Sequence, residues 1–416
     1  MTEHAELSEY LQDCRPRFRQ PSAADLCMQV PAMTAEQTND EVMETFTRHR
    51  ELNSLPVVEG AQPIGLINRN IFLSQMSKPF HRELYNRKSC IAFMDKEPLI
   101  VEAGMGIDEL TFKTVEHGEK ALSDGFIITR DGAFAGVGHG LQLMRVVADV
   151  QVERNRQIMH SIEYASVIQR SMLRASREAL GQARADADLV WEPRDVVGGD
   201  FYQFSAMPEG WIATVADCTG HGVPGAFMTL IASITLSKAI EQQGPRDPAA
   251  LLASVNRSIK QMLGQMDGVH EPGQSAGSND GMDAACFWFD AQTQQLSYAG
   301  AKTSLFVLHP GQSGVEMIDG ERKGVGYVDT DFGFSWRNQQ LQLQPGSLVF
   351  VSTDGLVDQI GGAKAIAFGK RRIRDVLLAR RELPAAEINR AMQDELQAWQ
   401  GSHHRRDDVT FFCFRV

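Results

Sequence analysis

No two cysteines stand in a CxxC arrangement; the six present, at positions 14, 27, 90, 218, 286 and 413, are scattered singly along 416 residues. That spacing excludes a zinc-finger pattern and a dense disulfide framework, and it agrees with a reducing interior. The first twenty residues carry no apolar stretch of the kind a signal peptide needs, and no window of about 18 continuous apolar residues follows. The expectation is a cytoplasmic protein without a membrane span. An excess of positive charge is also missing. The formal net charge of -12 opposes approach to phosphate backbones and anionic lipid, so neither nucleic acid nor membrane is an expected partner. What is present is ordinary globular composition, 43% hydrophobic and 23% charged, in a chain long enough for two or three folding units of roughly 100 to 200 residues.

Two similar α/β units follow one another within residues 1–140. In the first, the apolar strand Leu55-Pro-Val-Val58 precedes Ile64-Gly-Leu-Ile67; in the second, Gly125-Phe-Ile-Ile128, the turn Arg130-Asp-Gly132 and Ala135-Gly-Val-Gly138 recur in the same order. The pair resembles tandem CBS modules, which implies a nucleotide or small-molecule ligand. Gly65-Leu-Ile-Asn-Arg-Asn70 approximates that family's ribose-contacting stretch, whereas Gly138-His-Gly140 in the second unit lacks the acidic residue. A purely structural dimerisation domain is the other reading, because fold does not fix function. Residues 141–182 contain no proline, and Val147, Val150, Ile158, Ile162, Ala165, Ile168 and Met172 recur at gaps dominated by three and four. That spacing predicts a long helix with one apolar stripe, a coiled-coil or packed linker.

The third segment, 183–416, reads as strands punctuated by Gly, Asp and Asn, with helices near Pro224 to Gln242, Asp247 to Leu263 and Pro384 to Trp399. Glu271 to Asp280 has loop composition. The basic run Gly369-Lys-Arg-Arg-Ile-Arg374 is expected to open a helix with a solvated face. Four aspartates, Asp200, Asp217, Asp354 and Asp407, each stand at or beside the end of a predicted strand. Asp200 and Asp217 belong to a predicted hairpin turning at Met207-Pro-Glu-Gly210. If Phe204 faces Trp211, Asp200 faces Val215, and the two carboxylates are diagonal neighbours on one face, roughly 7 to 8 Å apart at the backbone. Oxygen ligands without clustered His or Cys suit Mg2+ or Mn2+, and two such ions prime water for attack on a phosphoester.

The strings Val197-Gly-Gly-Asp-Phe-Tyr202, Val215-Ala-Asp-Cys-Thr-Gly-His-Gly-Val-Pro-Gly-Ala226, Ser352-Thr-Asp-Gly355 and Asp407-Asp-Val-Thr410 occur in this order, after the helical lead-in Ile162 to Leu173. Together they resemble the PPM phosphatases of the stage II sporulation protein E type. The resemblance implies an α+β fold: an αββα sandwich phosphatase domain behind the CBS-like domain and the linker helix. It also implies that Asp200 and Asp217 are catalytic and bridge two Mn2+ or Mg2+ ions, with the Cys218 carbonyl, Asp354 and Asp407 as further ligands, and with Asp408 and Asp358 supporting them. It leaves open a third ion or a structural role at Asp283, proton donation by His221, and phosphate contacts from Lys302 or Arg194. Ala299-Gly-Ala-Lys-Thr303 departs from the Ala-Gly-His-x-Pro of many relatives, which excludes a histidine at Ala301.

The implied activity is hydrolysis of phosphoserine or phosphothreonine on a regulatory partner, a STAS-domain anti-sigma-factor antagonist. The linker helix and N-terminal domain would provide regulation and a homodimer interface. Two alternatives stand beside it. One is a catalytically inactive dimeric partner-binding module. The other is a diguanylate cyclase, for which Gly198-Gly-Asp-Phe201 lacks an acidic residue after the aspartate.

Overall fold

The structure, a computed structural model, describes residues 19–183, 185–266 and 279–416. Cys14, most of the N-terminal stretch and residues 271–278 of the expected loop lie outside the described residues. The chain divides into two compact units, Met1–Gln157 and Ile158–Val416.

In the first unit the order is β1 (Met33–Thr34), α1 (Asn39–Arg48), β2 (Ser54–Glu59), β3 (Gln62–Asn68), α2 (Arg69–Met76) and α3 (His81–Tyr85). There follow β4 (Ile100–Glu102), α4 (Ile107–His117), α5 (Glu119–Asp124), β5 (Phe126–Arg130) and β6 (Ala133–Gly138). The sequence repeat becomes a topological one. β1 pairs parallel with β2 and β4 parallel with β5, whereas β2 with β3 and β5 with β6 are antiparallel hairpins. The hairpins carry a register shift at matching places, Val57/Val58 and Ile128/Thr129. A shared bulge re-aims the strand at the same point in each copy.

Helix α6 (Gly140–Gln182) runs for 43 residues with no proline to interrupt it, and the unit boundary falls inside it. Within the first unit, Leu143 and Val150 are buried while Leu141, Met144 and Val152 are exposed. Within the second, Leu173 enters the core while Ile158, Met159, Val167 and Ile168 remain exposed.

The second unit contains β7 (Asp186–Glu192), β8 (Asp200–Met207), β9 (Gly210–Cys218), α7 (Gly222–Gln243) and α8 (Pro248–Leu263), followed by β10 (Met282–Asp290), β11 (Gln295–Ala301), β12 (Leu305–Leu308) and β13 (Glu316–Ile318). It continues with β14 (Gln339–Gln342), β15 (Leu348–Ser352), α9 (Asp354–Asp358), β16 (Ile360–Gly361), β17 (Ile366–Ala367), α10 (Gly369–Ala379), α11 (Ala385–Gln400) and β18 (Val409–Arg415). Two five-stranded antiparallel sheets result, in the orders β14-β11-β10-β9-β8 and β13-β12-β15-β18-β7. The alternation along β8, β9, β10 and β18 sends Phe204, Trp211, Phe287, Phe412 and Phe414 into one aromatic core between the sheets. The opposite faces bury Ile212, Cys286 and Trp288 under α7 and α8, and Phe350, Phe411 and Cys413 under α10 and α11. This helix–sheet–sheet–helix layering is the αββα sandwich that the resemblance implies.

Helix α7 is expected to be apolar on most faces. Met228, Ala232, Leu236 and Ala239 are indeed buried in the core, but Phe227 and Ile234 are exposed. Among the described residues α7 is the single helix long and apolar enough by length and composition to cross a membrane. Its packing against β8, β9 and α8 accounts for that apolarity. The basic run at 369–374 does open a helix, α10, yet its face is not simply solvated: the Arg372 guanidinium lies 3.4 Å from the centre of the Trp399 ring.

Candidate metal centre and active site

The β8–β9 hairpin closes through the two-residue turn Pro208-Glu209 inside the expected Met207–Gly210 segment, but the pairing differs from expectation. Phe204 faces Ala213, Trp211 faces Ala206, and Asp200 stands directly opposite Asp217. The shift is two residues, so every side chain keeps its face while the carboxylates move from diagonal to facing positions. Facing Cβ atoms lie roughly 4.5 to 5.5 Å apart. The rung extends one strand further, because Asp283 on β10 pairs with Asp217. Beyond it, Lys302 Nζ lies 3.2 Å from Asp283 Oδ1 and 4.2 Å from the centre of the Tyr327 ring. A row of three acids thus crosses the sheet and ends at an ammonium.

The facing sheet brings the remaining acids. β15 ends at Ser352, and Thr353 donates from Oγ1 to Asp200 Oδ2 at 2.8 Å while Asp354 opens α9. Asp407 and Asp408 lead into β18. Asp408 is buried, and its carboxylate accepts from Gly199 N at 2.6 Å and Arg194 N at 2.5 Å, which ties the strand entries of the two sheets together. The approach is close enough to require glycine: a Cβ on Gly355 would fall 1.9 Å from the Asp408 carbonyl oxygen, and one on Gly199 2.8 Å from the Cys218 carbonyl oxygen.

Electrostatics show which acids feel one another. Burial first, then the charge of Asp408 and more weakly that of Asp354, pushes Asp200 well above the usual carboxylate range. Burial, with the charges of Asp200, Asp354 and Asp407, pushes Asp217 up to about 11. Asp354 stays open to solvent on one side, yet it too is raised, by desolvation and by the charges of Asp407, Asp358 and Asp283. The contact between the Asp217 and Asp354 carboxyls acts on the two in opposite directions, raising Asp217 and lowering Asp354. Burial, with the charges of Asp217, Asp200 and Asp283 behind it, raises the Cys218 thiol well above its ordinary range.

Among the described residues no group of three or more His, Cys, Asp or Glu side chains is gathered closely enough to hold an ion. The residues nevertheless fit hard divalent cations: the donors are all oxygen, Asp200 Oδ1 is buried with no hydrogen-bond partner, and burial together with neighbouring carboxylates raises Asp200 and Asp217 with no positive charge to offset it.

The accessory residues fall into separate groups. Arg194 Nη2 lies 2.7 Å from His221 Nδ1 and 3.0 Å from Asp195 Oδ2, and His221 Nδ1 lies 3.1 Å from the same oxygen. Asp358, exposed at the end of α9, contributes its charge alone. Three participants are not among the expected site residues: Asp195; Thr353, although it stands inside the string Ser352-Thr-Asp-Gly355; and Gln169. Gln169, buried on α6, donates to Gly198 O at 2.7 Å and Thr229 Oγ1 at 3.1 Å, and accepts from Gly198 N at 3.2 Å. The quoted lead-in 162–173 contains Gln169, but its buried contact spans 29 residues and leaves no local pattern.

Comparison with known proteins agrees with the fold. The family profile described as Stage II sporulation protein E (SpoIIE) matches residues 208–416. The SiaA-PP2C domain of Pseudomonas aeruginosa is 38% identical, with a TM-score of 0.55 over 63% of this chain and 98% of that one. The PP2C phosphatase domain with a regulatory-domain fragment of SpoIIE from Bacillus subtilis is 17% identical, with a TM-score of 0.45 over 56% of this chain and 63% of that one. The RsbU and RsbW domains of Rv1364c from Mycobacterium tuberculosis are 20% identical, with a TM-score of 0.43 over 55% and 59%. With a PP2C-like sandwich, its acids at the strand ends and the family's profile across its C-terminal half, the chain belongs to the SpoIIE family of metal-dependent serine/threonine protein phosphatases.

Proposed function

We propose that Asp200, Asp217, Asp354 and Asp407, with the Cys218 carbonyl, hold two Mn2+ or Mg2+ ions at the end of the inter-sheet core, where a phosphoserine or phosphothreonine of a regulatory partner is hydrolysed. The observation that carries this is the facing pair Asp200 and Asp217, whose carboxyls, with Asp354, are held above their normal range by burial first and then by the charges of neighbouring acids. When bound, the ions would supply Lewis-acid charge to a water molecule and to the phosphoryl oxygens. The chain's own residues do the positioning. Thr353 orients Asp200, Asp408 clamps Gly199 and Arg194 through their N–H groups, and Gln169 holds both polar groups of Gly198 from helix α6. Arg194, steered by Asp195, is the candidate phosphate clamp, with His221 beside it.

The partner in this reading is a STAS-domain anti-sigma-factor antagonist, and the setting is the cytoplasm. The repeated N-terminal unit is a CBS pair taking a nucleotide or small ligand, and α6 serves as linker. The exposed Ile158, Met159, Val167 and Ile168 on α6 support a homodimer seam there, and Gln169 gives the helix a direct grip on the loop before Asp200.

Manganese-dependent hydrolysis of an aryl phosphate and of a phosphorylated STAS protein, abolished by Asp217→Ala, is the test. The inactive partner-binding module draws support from the absence of a three-acid cluster among the described residues. A wild-type protein inert with every metal supplied would decide for it.

A further inference from the structure

An open polar cleft of about 350 Å³ lies beside the acid rung, lined by Lys302, Ser304, Asp319, Glu321, Arg322 and Lys370. Lys302 joins the two places. Its side chain caps Asp283, which neighbours Asp217, and it lines the cleft on its other side. Its backbone is held in place, since Lys302 N donates to Glu321 O at 2.7 Å, Glu321 N donates to Gly300 O at 2.8 Å, and Lys302 sits at φ 57°. A non-glycine residue in the left-handed region persists only where surrounding bonds over-determine it.

The charges of the lining do not cancel evenly. Asp319 accepts from Ser304 Oγ at 3.0 Å, and Glu321 lies 3.9 Å from Arg337. Lys302 is matched by Asp283. Arg322 and Lys370 form no ion pair among the described residues, and both are exposed. Against these two cations, contributed by different parts of the chain, stands one carboxylate without a cation beside it among the described residues, Asp319, whose Ser304 partner is neutral, so the lining keeps one positive charge in excess on a protein that is otherwise acidic. An enclosed small-molecule pocket is mostly apolar, whereas this cleft is open and polar.

We infer that the cleft is a docking subsite for acidic side chains flanking the phosphorylated serine or threonine of the protein substrate, with Arg322 and Lys370 as its specificity-determining residues. This rests on the phosphatase reading and deepens it: the phosphoryl group lies at the acid rung, and the segment beyond it passes Lys302 and meets the two free cations. Arg322 offers a planar fork suited to a carboxylate, and Lys370 a point charge. Such contacts act mainly on substrate binding and weaken with salt.

The test uses the full chain with Mn2+ and two phosphoserine peptides, identical except that flanking residues are Glu in one and Gln in the other. Wild type is expected to favour the Glu peptide by about tenfold in kcat/KM, carried by KM. Arg322→Glu and Lys370→Glu are each expected to bring that ratio to one or below, and Arg322→Gln to an intermediate value. Arg322→Gln and Lys370→Gln carry the comparison if a charge reversal impairs folding by circular dichroism. A wild-type ratio of one, or a ratio untouched by every variant, overturns the subsite while hydrolysis itself continues. Wild-type protein without Mn2+-dependent aryl phosphate hydrolysis overturns the phosphatase reading and the subsite with it.

Discussion

Replacing Asp217 by asparagine should make the metal-free protein more stable while abolishing hydrolysis. Without cations the folded state holds the Asp217 carboxyl at about 11, whereas in the unfolded chain it ionises near 3.9. The folded state therefore binds the extra proton, and stability is full below the unfolded value and lost as pH rises from there toward about 11. At pH 7.5 the ceiling is about 5 kcal/mol, from about 3.6 pH intervals at about 1.36 kcal/mol each. Sharing of protons with Asp200 and Asp354, and the solvent reaching Asp217, cut this to about 2 kcal/mol. For a unit of this size that is a rise of about 4 to 8 °C in Tm. The assay is thermal unfolding followed by circular dichroism in excess chelator, at pH 6 and pH 8. The stabilisation of the variant should roughly double between the two, because the ceiling grows from about 3 to about 6 kcal/mol. In Mn2+ at about 100 times its Kd the order should reverse, since the wild type alone gains about 2.7 kcal/mol by binding. A variant less stable than wild type in chelator, or a gap that does not widen with pH, refutes the cluster of mutually repelling acids.

Thr353→Val removes the donor to Asp200 Oδ2 and the acceptor of Thr410 N, so it should cost about 1 to 3 kcal/mol in denaturant unfolding and weaken Mn2+ binding by calorimetry. Gln169→Leu should lower kcat about tenfold with unchanged far-UV circular dichroism, because Gly198 loses both of its bonds to helix α6. His221→Ala should reduce activity less than about tenfold and leave the alkaline limb of the pH profile in place, as a residue tied to Asp195 and Arg194 would. A loss of about 100-fold with that limb gone would instead make it the proton donor.

Strand ends were legible because apolar runs such as Trp211 to Ala216 and Leu348 to Thr353 stop abruptly at an acid, whereas the layered α+β fold came from the family resemblance that the strings around those acids carry. The face of the hairpin was legible for a stronger reason. Period-two alternation survives a slip of two residues but not of one, so Asp200 and Asp217 share a side with a turn of two or four residues and would part with one of three. Register was not legible: the turn lies at Met207–Gly210 as read, but the sequence offers no signal that Phe204 pairs with Ala213 and not with Trp211. Asp283 and Lys302 could each be read only alone. They become one ion pair because β10 runs beside β9 and β11 beside β10, an order set by tertiary packing. The same holds for Thr353 with Asp200 and Asp408 with Gly199, contacts that cross 153 and 209 residues between two sheets. Local periodicity identifies which side chains are available at a sheet's end. Which of them meet depends on the partner sheet, and that is where the ion pair opening the basic cleft is made.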